Sequence, residues 1–241
     1  MIAEHYAKSG CDLLLIDVNQ AGLDLTRSKC EEAGANSVTA MKLDVTDTEA
    51  VRSAIYAYDV SHPIDALYPC AAINDTPKKP LSDCVQVKSN GGMLFTGFPK
   101  DLLREHPWCN RGRGKICLFS SILGFGGTRI TPNYTISKNC MRAIAESLRF
   151  PLKEKGISIS YVCPGGVKTG MTQVLPSWLT WIFLSAESAA KLIINGCENG
   201  DFLIVFPFSC YSICYGFLSG PAYLRESLEV LLDMVYRGLF H

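Results

Sequence analysis

Six short apolar runs, separated by longer segments with helical spacing or caps, fix what this chain can fold into. The runs are Leu13–Asp17, residues 38–44, Ile64–Tyr68, Ile116–Ser120, Ile157–Cys163 and Phe202–Phe206. Several are almost unbroken by polar residues, the pattern of strands covered on both faces rather than on one. Parallel neighbours need a crossover connection, and the intervening segments supply it. Residues 1–9 read as a helix ended by Gly10, and 21–33 as a second. Thr46 or Asp47 can cap a third that runs to Tyr58. Residues 93–103, 131–155 and 186–197 complete the set. The expectation is an α/β fold, a doubly wound parallel sheet with helices on both faces. At 241 residues, with no internal repeat and no low-complexity linker, the chain suits one domain. Residues 1–206 carry the alternating pattern, and 207–241 form an apolar C-terminal helical extension of the same domain.

The chemistry-bearing residues sit on two of these elements. Ser121 closes the fourth run, and thirteen residues later comes Tyr134-Thr-Ile-Ser-Lys138. A spacing of four on a helix puts Tyr134 and Lys138 on one face. An ammonium beside a phenol favours the phenolate, so the tyrosine pKa is expected to fall from about 10 towards working pH. Such a tyrosine can serve as general acid or base, while a hydroxyl from a neighbouring strand end holds the substrate oxygen. A tyrosine and a lysine four apart also occur by chance, so the context carries the weight. Thr131-Pro132 suits a helix start. Met141, Ile144, Ala145, Leu148 and Leu152 then follow at helical spacing towards Gly156, and the fifth strand ends in Pro164-Gly165-Gly166-Val167-Lys168-Thr169.

This ordered set resembles the short-chain dehydrogenase/reductase family, with its Ser…Tyr-x-x-x-Lys site and Pro-Gly-x-Val-x-Thr turn. The resemblance extends over nearly all of residues 1–206 and implies a Rossmann-type sheet. It implies catalytic roles for Ser121, Tyr134 and Lys138. Cofactor contacts fall on Asp17, Asp44, Val45, Ala71, Tyr134, Lys138, Val167 and Thr169. Asp17 closes the family's second strand, where an acid accepts hydrogen bonds from ribose hydroxyls and repels a 2′-phosphate. The following Val18-Asn19 supplies no cation for such a phosphate, so NAD is favoured over NADP. The bland alternative for Asp17 is a solvated strand-end aspartate. Asp44-Val45 matches the family's pair at the adenine ring, with a helix cap as the alternative for Asp44.

Three positions depart from the family pattern. The glycine-rich phosphate turn belongs about twenty residues before Asp17, which falls before Met1. The first strand and its Thr-Gly-x-x-x-Gly-x-Gly loop are therefore expected to be missing, leaving Leu13–Asp17 and Ile64–Tyr68 each with an unpaired edge. Pro69-Cys70-Ala71-Ala72 stands where the family has Asn-Asn-Ala-Gly. The stretch from Ala72 to Gly92 is short, so the family's catalytic asparagine aligns best with Ser89, beside Asn90, and neither is assigned that role.

Composition excludes other classes. A formal net charge of zero offers no basic face for nucleic acid. Eleven cysteines include no Cys-x-x-Cys pair, and Cys70, Cys117 and Cys163 lie in apolar runs, so buried free thiols in a reducing, cytoplasmic setting are expected. Four scattered histidines argue against zinc. The polar first residues do not read as a secretory signal. Residues 169–186, with Trp178 and Trp181, carry no charge and occupy the family's substrate loop. They suggest a small hydrophobic alcohol or ketone, with helix packing as the alternative. Residues 202–224 are also uncharged, but Pro207, Gly216, Gly220 and Pro221 interrupt them, so a membrane-resting or dimer-packing tail is favoured over a spanning helix. Residues 222–239 place Leu224, Leu228, Leu231, Leu232 and Val235 on one helical face. The reading is an oxidoreductase for an apolar secondary alcohol and ketone, pairing as a homo-oligomer through the helices carrying Asn90 and Tyr134. The competing class is a non-catalytic remnant, unable to bind the cofactor.

Overall fold

The computed structural model describes residues 1–71, 110–126, 132–172, 180–181, 183–208, 212, 215–216, 220–221, 223, 226–227, 230 and 234. The helix expected at 93–103, Ser89, Asn90, Trp178 and the leucine face of 222–239 lie outside them. Helix α1 (Ile2–Ala7) leads into strand β1 (Asp12–Asp17), helix α2 (Gln20–Glu32), strand β2 (Ser37–Lys42), helix α3 (Thr48–Ser61) and the short strand β3 (Ala66–Leu67). Strand β4 (Gly114–Phe119) is followed by a 3₁₀ turn (Ile122–Phe125), helix α4 (Pro132–Glu154) and strand β5 (Ile157–Pro164). A small parallel pair, β6 (Val167–Lys168) with β7 (Leu184–Ser185), precedes helix α5 (Ala186–Asn199) and strand β8 (Leu203–Phe206).

Local chemistry explains several boundaries. Asn19 caps α2 through its side-chain oxygen, which accepts from Gly22 N–H. Asp47, one of the two residues expected to cap the third helix, accepts from Ala50 N–H at 3.0 Å. Helix α4 ends at Gly156, whose φ of +72° belongs to the left-handed region. A Cβ there would collide with the Gly112 carbonyl, so this turn needs glycine twice over.

Strands β3, β4, β5 and β8 form one parallel sheet in that order, and β1 pairs in parallel with β2. Among the described residues no strand joins β1 to β3. The two halves differ in burial. Leu13, Leu14, Leu15 and Ile16 of β1 are all half-buried, whereas Val162 and Cys163 of β5 are fully enclosed.

Strand periodicity divides the core into two layers. Ile116, Leu118, Ile159 and Tyr161 face Ala145 and Leu152 of α4. Cys117 and Val162 point the other way, against Ala189, Ile193 and Cys197 of α5. Gly196 brings α5 close to β8, since a Cβ there would lie 2.6 Å from Ile204 Cδ1. Arg111, leading into β4, grips the buried Asp59 carboxylate at 2.9 and 2.6 Å and donates to the Ile64 carbonyl at 3.0 Å. Asp59 also accepts from Ile64 N–H at 2.8 Å, tying the end of α3 to the approaches of both β3 and β4. Cys117 and Cys163 are buried free thiols as expected; Cys70 is free but exposed, because β3 ends at Leu67 and the chain has already left the sheet.

Candidate active site

The sequence-predicted residues follow the C-terminal ends of strands, the rim where an open parallel sheet binds ligands. Ser121 leaves β4 with an extended backbone and caps the 3₁₀ turn, its hydroxyl accepting from Leu123 N–H at 3.2 Å. Helix α4 begins at Pro132, which places Tyr134 in its first turn and Lys138 one turn on. The Ser121 hydroxyl lies close enough to the Tyr134 phenol to draw its pKa down. Lys138 Nζ lies 5.6 Å from the centre of the Tyr134 ring. The structure thus brings Ser121, Tyr134 and Lys138 together.

One expectation is corrected. Tyr134 does not have a lowered pKa; burial pushes its phenol above the ordinary value, and the nearby Ser121 hydroxyl offsets only part of that rise. The Lys138 ammonium donates at 2.8 Å to the Phe119 carbonyl at the end of β4. Helical spacing identified the neighbour correctly, but spacing carries no information about desolvation.

Several supporting residues escaped sequence reasoning. The Ser120 hydroxyl, buried, donates to the Lys138 carbonyl at 2.7 Å and ties β4 to α4 beside Tyr134 and Lys138. Asn139 donates to the Gly126 carbonyl at 2.9 Å, a second strut from helix to turn. Gly124 lets the turn lie flat on α4, since a Cβ there would meet Ser120 Oγ and approach the Lys138 carbonyl to 2.9 Å. Arg142 stacks over Phe125, 5.0 Å from its centroid. Two signals were present: the doubled serine, and the glycines of Ile122-Leu-Gly-Phe-Gly126. Burial pushes the nearby Cys163 thiol up to about 12, so it stays protonated and inert.

The predicted cofactor contacts are more dispersed. Asp17 is exposed at the end of β1, and its Oδ1 accepts from Asn19 N–H at 2.9 Å. Asp44 is exposed too; the Thr46 N–H, and then the Thr46 hydroxyl, hold its carboxyl below the usual carboxylate range. It therefore shapes the approach to α3, while Asp47 provides the cap itself. Val45 is half-buried and Ala71 exposed. Val167 opens β6, and the Thr172 hydroxyl donates to its carbonyl at 2.9 Å while accepting from Thr169 N–H at 2.9 Å. Of the uncharged segment 169–186, Trp181 stands 75% exposed and Phe183 packs directly on Gly166.

Comparison with known proteins follows this geometry. A family model described as short chain dehydrogenase matches residues 1–180. Human epidermal retinol dehydrogenase 2 is 28% identical over 269 residues, covering 100% of this chain and 79% of that protein. Mouse 17-beta-hydroxysteroid dehydrogenase 13 is 27% identical, covering 86% of this chain and 69% of its own. Among solved structures, a short-chain dehydrogenase from Sphingobium yanoikuyae in complex with NADPH superposes with a TM-score of 0.72 at 16% identity, covering 99% of this chain and 89% of that one. One from Mycobacterium paratuberculosis bound to NAD reaches a TM-score of 0.69 at 19% identity, covering 85% and 89%. At such identities the structural likeness speaks for the fold.

Proposed function

The chain belongs to the short-chain dehydrogenase family, and on that premise we propose that it interconverts an apolar secondary alcohol and its ketone with a nicotinamide cofactor. The observation that carries this reading is the convergence of the Ser121 hydroxyl and the Tyr134 phenol at one rim, with Lys138 Nζ 5.6 Å from the Tyr134 ring. The residues at the two ends of a dinucleotide fit the group. Asp17 presents an exposed carboxylate where adenosine ribose hydroxyls would be received, with Asp44 and Val45 nearby in the family pattern and Ala71 leaving the backbone open. Lys138, Val167 and Thr169 would hold the nicotinamide end. The absence of a cation in Val18-Asn19 supports NAD over NADP.

When bound, the nicotinamide ring supplies the two-electron donor or acceptor. This chain's own residues handle the proton and the oxygen. In ketone reduction the Tyr134 phenol gives its proton to the carbonyl oxygen while the Ser121 hydroxyl donates a hydrogen bond to the same atom. The Lys138 ammonium beside the ring stabilises the phenolate left behind. In alcohol oxidation the proton returns to Tyr134. Since burial keeps the phenol protonated, the resting site is poised as an acid, which favours reduction near neutral pH. An apolar substrate is supported by the uncharged segment 169–186 and by the retinol and hydroxysteroid named for the two relatives. Exposed Ile136 and Phe150 on α4 support pairing of two copies along that helix.

The test is Tyr134→Phe in the full chain. Turnover with an apolar ketone is expected to fall by at least about 10²-fold with NAD affinity retained. Near-normal turnover would remove Tyr134 from the chemistry. Absence of both turnover and nucleotide binding in the parent chain would favour the non-catalytic remnant.

A further inference from the structure

Helix α4 holds the 3₁₀ turn through two adjacent residues. The Ser120 hydroxyl, where the turn begins, donates to the Lys138 carbonyl at 2.7 Å. Where the turn ends, the Asn139 side-chain amide donates to the Gly126 carbonyl at 2.9 Å. The same nitrogen donates to the Thr135 carbonyl, also at 2.9 Å. A carboxamide nitrogen carries two hydrogens, so Asn139 spends its whole donor capacity on these two acceptors. Gly126 ends the turn that Ser121 opens, and Thr135 directly follows Tyr134 in the first turn of α4. One amide therefore ties together the two backbone segments that carry the Ser121 hydroxyl and the Tyr134 phenol.

Each segment is stiff on its own side of the tie. The Ser121 hydroxyl accepts from Leu123 N–H at 3.2 Å, and the Ser121 carbonyl accepts from Gly124 N–H at 2.9 Å. In the helix, the Thr135 hydroxyl donates to the Pro132 carbonyl at 3.0 Å and the Ser137 hydroxyl to the Tyr134 carbonyl at 2.7 Å. The angle between the two segments is what remains to be set. A turn hydrogen-bonded only through Ser120 can pivot about that bond, and the stack of Arg142 on Phe125 adds contact without hydrogen-bond direction. A second mounting point at Gly126 removes the pivot. We infer that Asn139 is a positioning residue of the site: by bridging Gly126 and Thr135 it fixes the angle at which the Ser121 hydroxyl meets the Tyr134 phenol at the substrate oxygen. That role rests on the proposed alcohol–ketone reaction; the bridge itself does not. The chemistry of position 139 makes the two bonds separable. A serine there has one O–H, which returns to the carbonyl one turn back and leaves none for Gly126. An ionised aspartate keeps the shape and has no donor at all.

The experiment compares Asn139→Ser and Asn139→Asp with the parent in the full chain, by turnover of an apolar ketone with NADH and by amide exchange without substrate or nucleotide. Each variant is expected to lower kcat at least about tenfold while NADH affinity stays within about twofold. Exchange at the Leu123 and Gly124 amides is expected to rise at least about fivefold, with β5 amides keeping the parent's rate. In a Ser121→Ala background the same substitutions are expected to cost less than about twofold, because the angle no longer matters once the hydroxyl is gone. A melt by circular dichroism checks that each variant is folded. Asn139→Ser, which retains the bond within the helix, serves if Asn139→Asp is not. A folded Asn139→Ser chain with the parent's kcat overturns the inference. Equal losses in both backgrounds overturn it too, since they would leave Asn139 a merely structural part, and so does unchanged exchange at Leu123 and Gly124. A parent chain that binds NADH but reduces no apolar ketone overturns the reading of the site instead, and the exchange rates then decide the bridge alone.

Discussion

Replacing Gly124 by alanine adds a single methyl group at the most crowded point of the catalytic turn. The new Cβ would meet Ser120 Oγ and lie 2.9 Å from the Lys138 carbonyl oxygen. The second neighbour is helix backbone and has nowhere to go, so the turn must lift. Overpacking of this kind costs about 1–3 kcal/mol. Displacing Ser120 forfeits its 2.7 Å bond to Lys138, worth about 1 kcal/mol more. Together they predict a loss of about 2–4 kcal/mol. Gly170→Ala is the control, because a Cβ there meets nothing within 4 Å and is expected to change stability by less than about 0.5 kcal/mol. Urea unfolding at matched slopes compares the two. The Gly124 N–H bonds the Ser121 carbonyl at 2.9 Å, so lifting the turn also carries Ser121 away from Tyr134. A shift near 1 Å in such a pair can cost about 10²-fold in turnover. If Gly124→Ala proves as stable and active as Gly170→Ala, the turn is not pinned against α4 and the packing argument for the site is wrong.

Two further expectations concern the chemistry. Burial raises the Tyr134 phenol above its ordinary value, so reduction, which needs the phenol, should be flat from neutral pH and fall only above about pH 10. Oxidation needs the phenolate and should climb about tenfold per pH unit across the same range; log kcat/KM profiles in both directions check this, and an oxidation plateau below pH 8 would contradict it. If Asp17 receives the adenosine ribose as proposed, Asp17→Ser removes a carboxylate that would repel a 2′-phosphate and should raise the NADPH-to-NADH ratio of kcat/KM by about tenfold. An unchanged ratio would place Asp17 away from the cofactor.

The strand pattern was legible where both faces of the sheet are covered, as at β4 and β5. Ile157 to Cys163 was expected as a strand, and β5 spans Ile157–Pro164; the helix expected at 131–155 is α4, Pro132–Glu154. The pairing of Ser121 with Tyr134 could be anticipated from motif order, since a strand end and the first turn of the next helix meet at one rim. The 3₁₀ turn at Ile122–Phe125 and the β6–β7 pair could not, because two to four residues hold no period. The direction of the Tyr134 shift was misjudged for a different reason. A lysine four residues away is visible in the sequence, but the depth at which helix and sheet enclose the phenol depends on packing from Ser120, Gly124 and Phe125, none of which announces it.

Among the described residues β1 pairs only with β2, apart from the sheet of β3, β4, β5 and β8, and the two groups are expected to differ in local opening. Hydrogen bonds of a strand pair with one open edge exchange with solvent through smaller openings than those locked between two neighbours. Amides of β4 and β5, enclosed by Leu118, Val162 and Cys163 at 0% exposure, should exchange only when the whole fold opens. Those of β1 and β2, whose side chains are at most half-buried, are expected to exchange through smaller openings. Tyr6 of α1 spans the two, its hydroxyl bonded to Tyr68 after β3 at 2.6 Å and to Glu198 of α5 at 2.8 Å. Asp17 sits on the β1–β2 pair and Tyr134 on the helix packed against the larger sheet, so amide exchange in the two groups reports separately on the two ends of the proposed cofactor site.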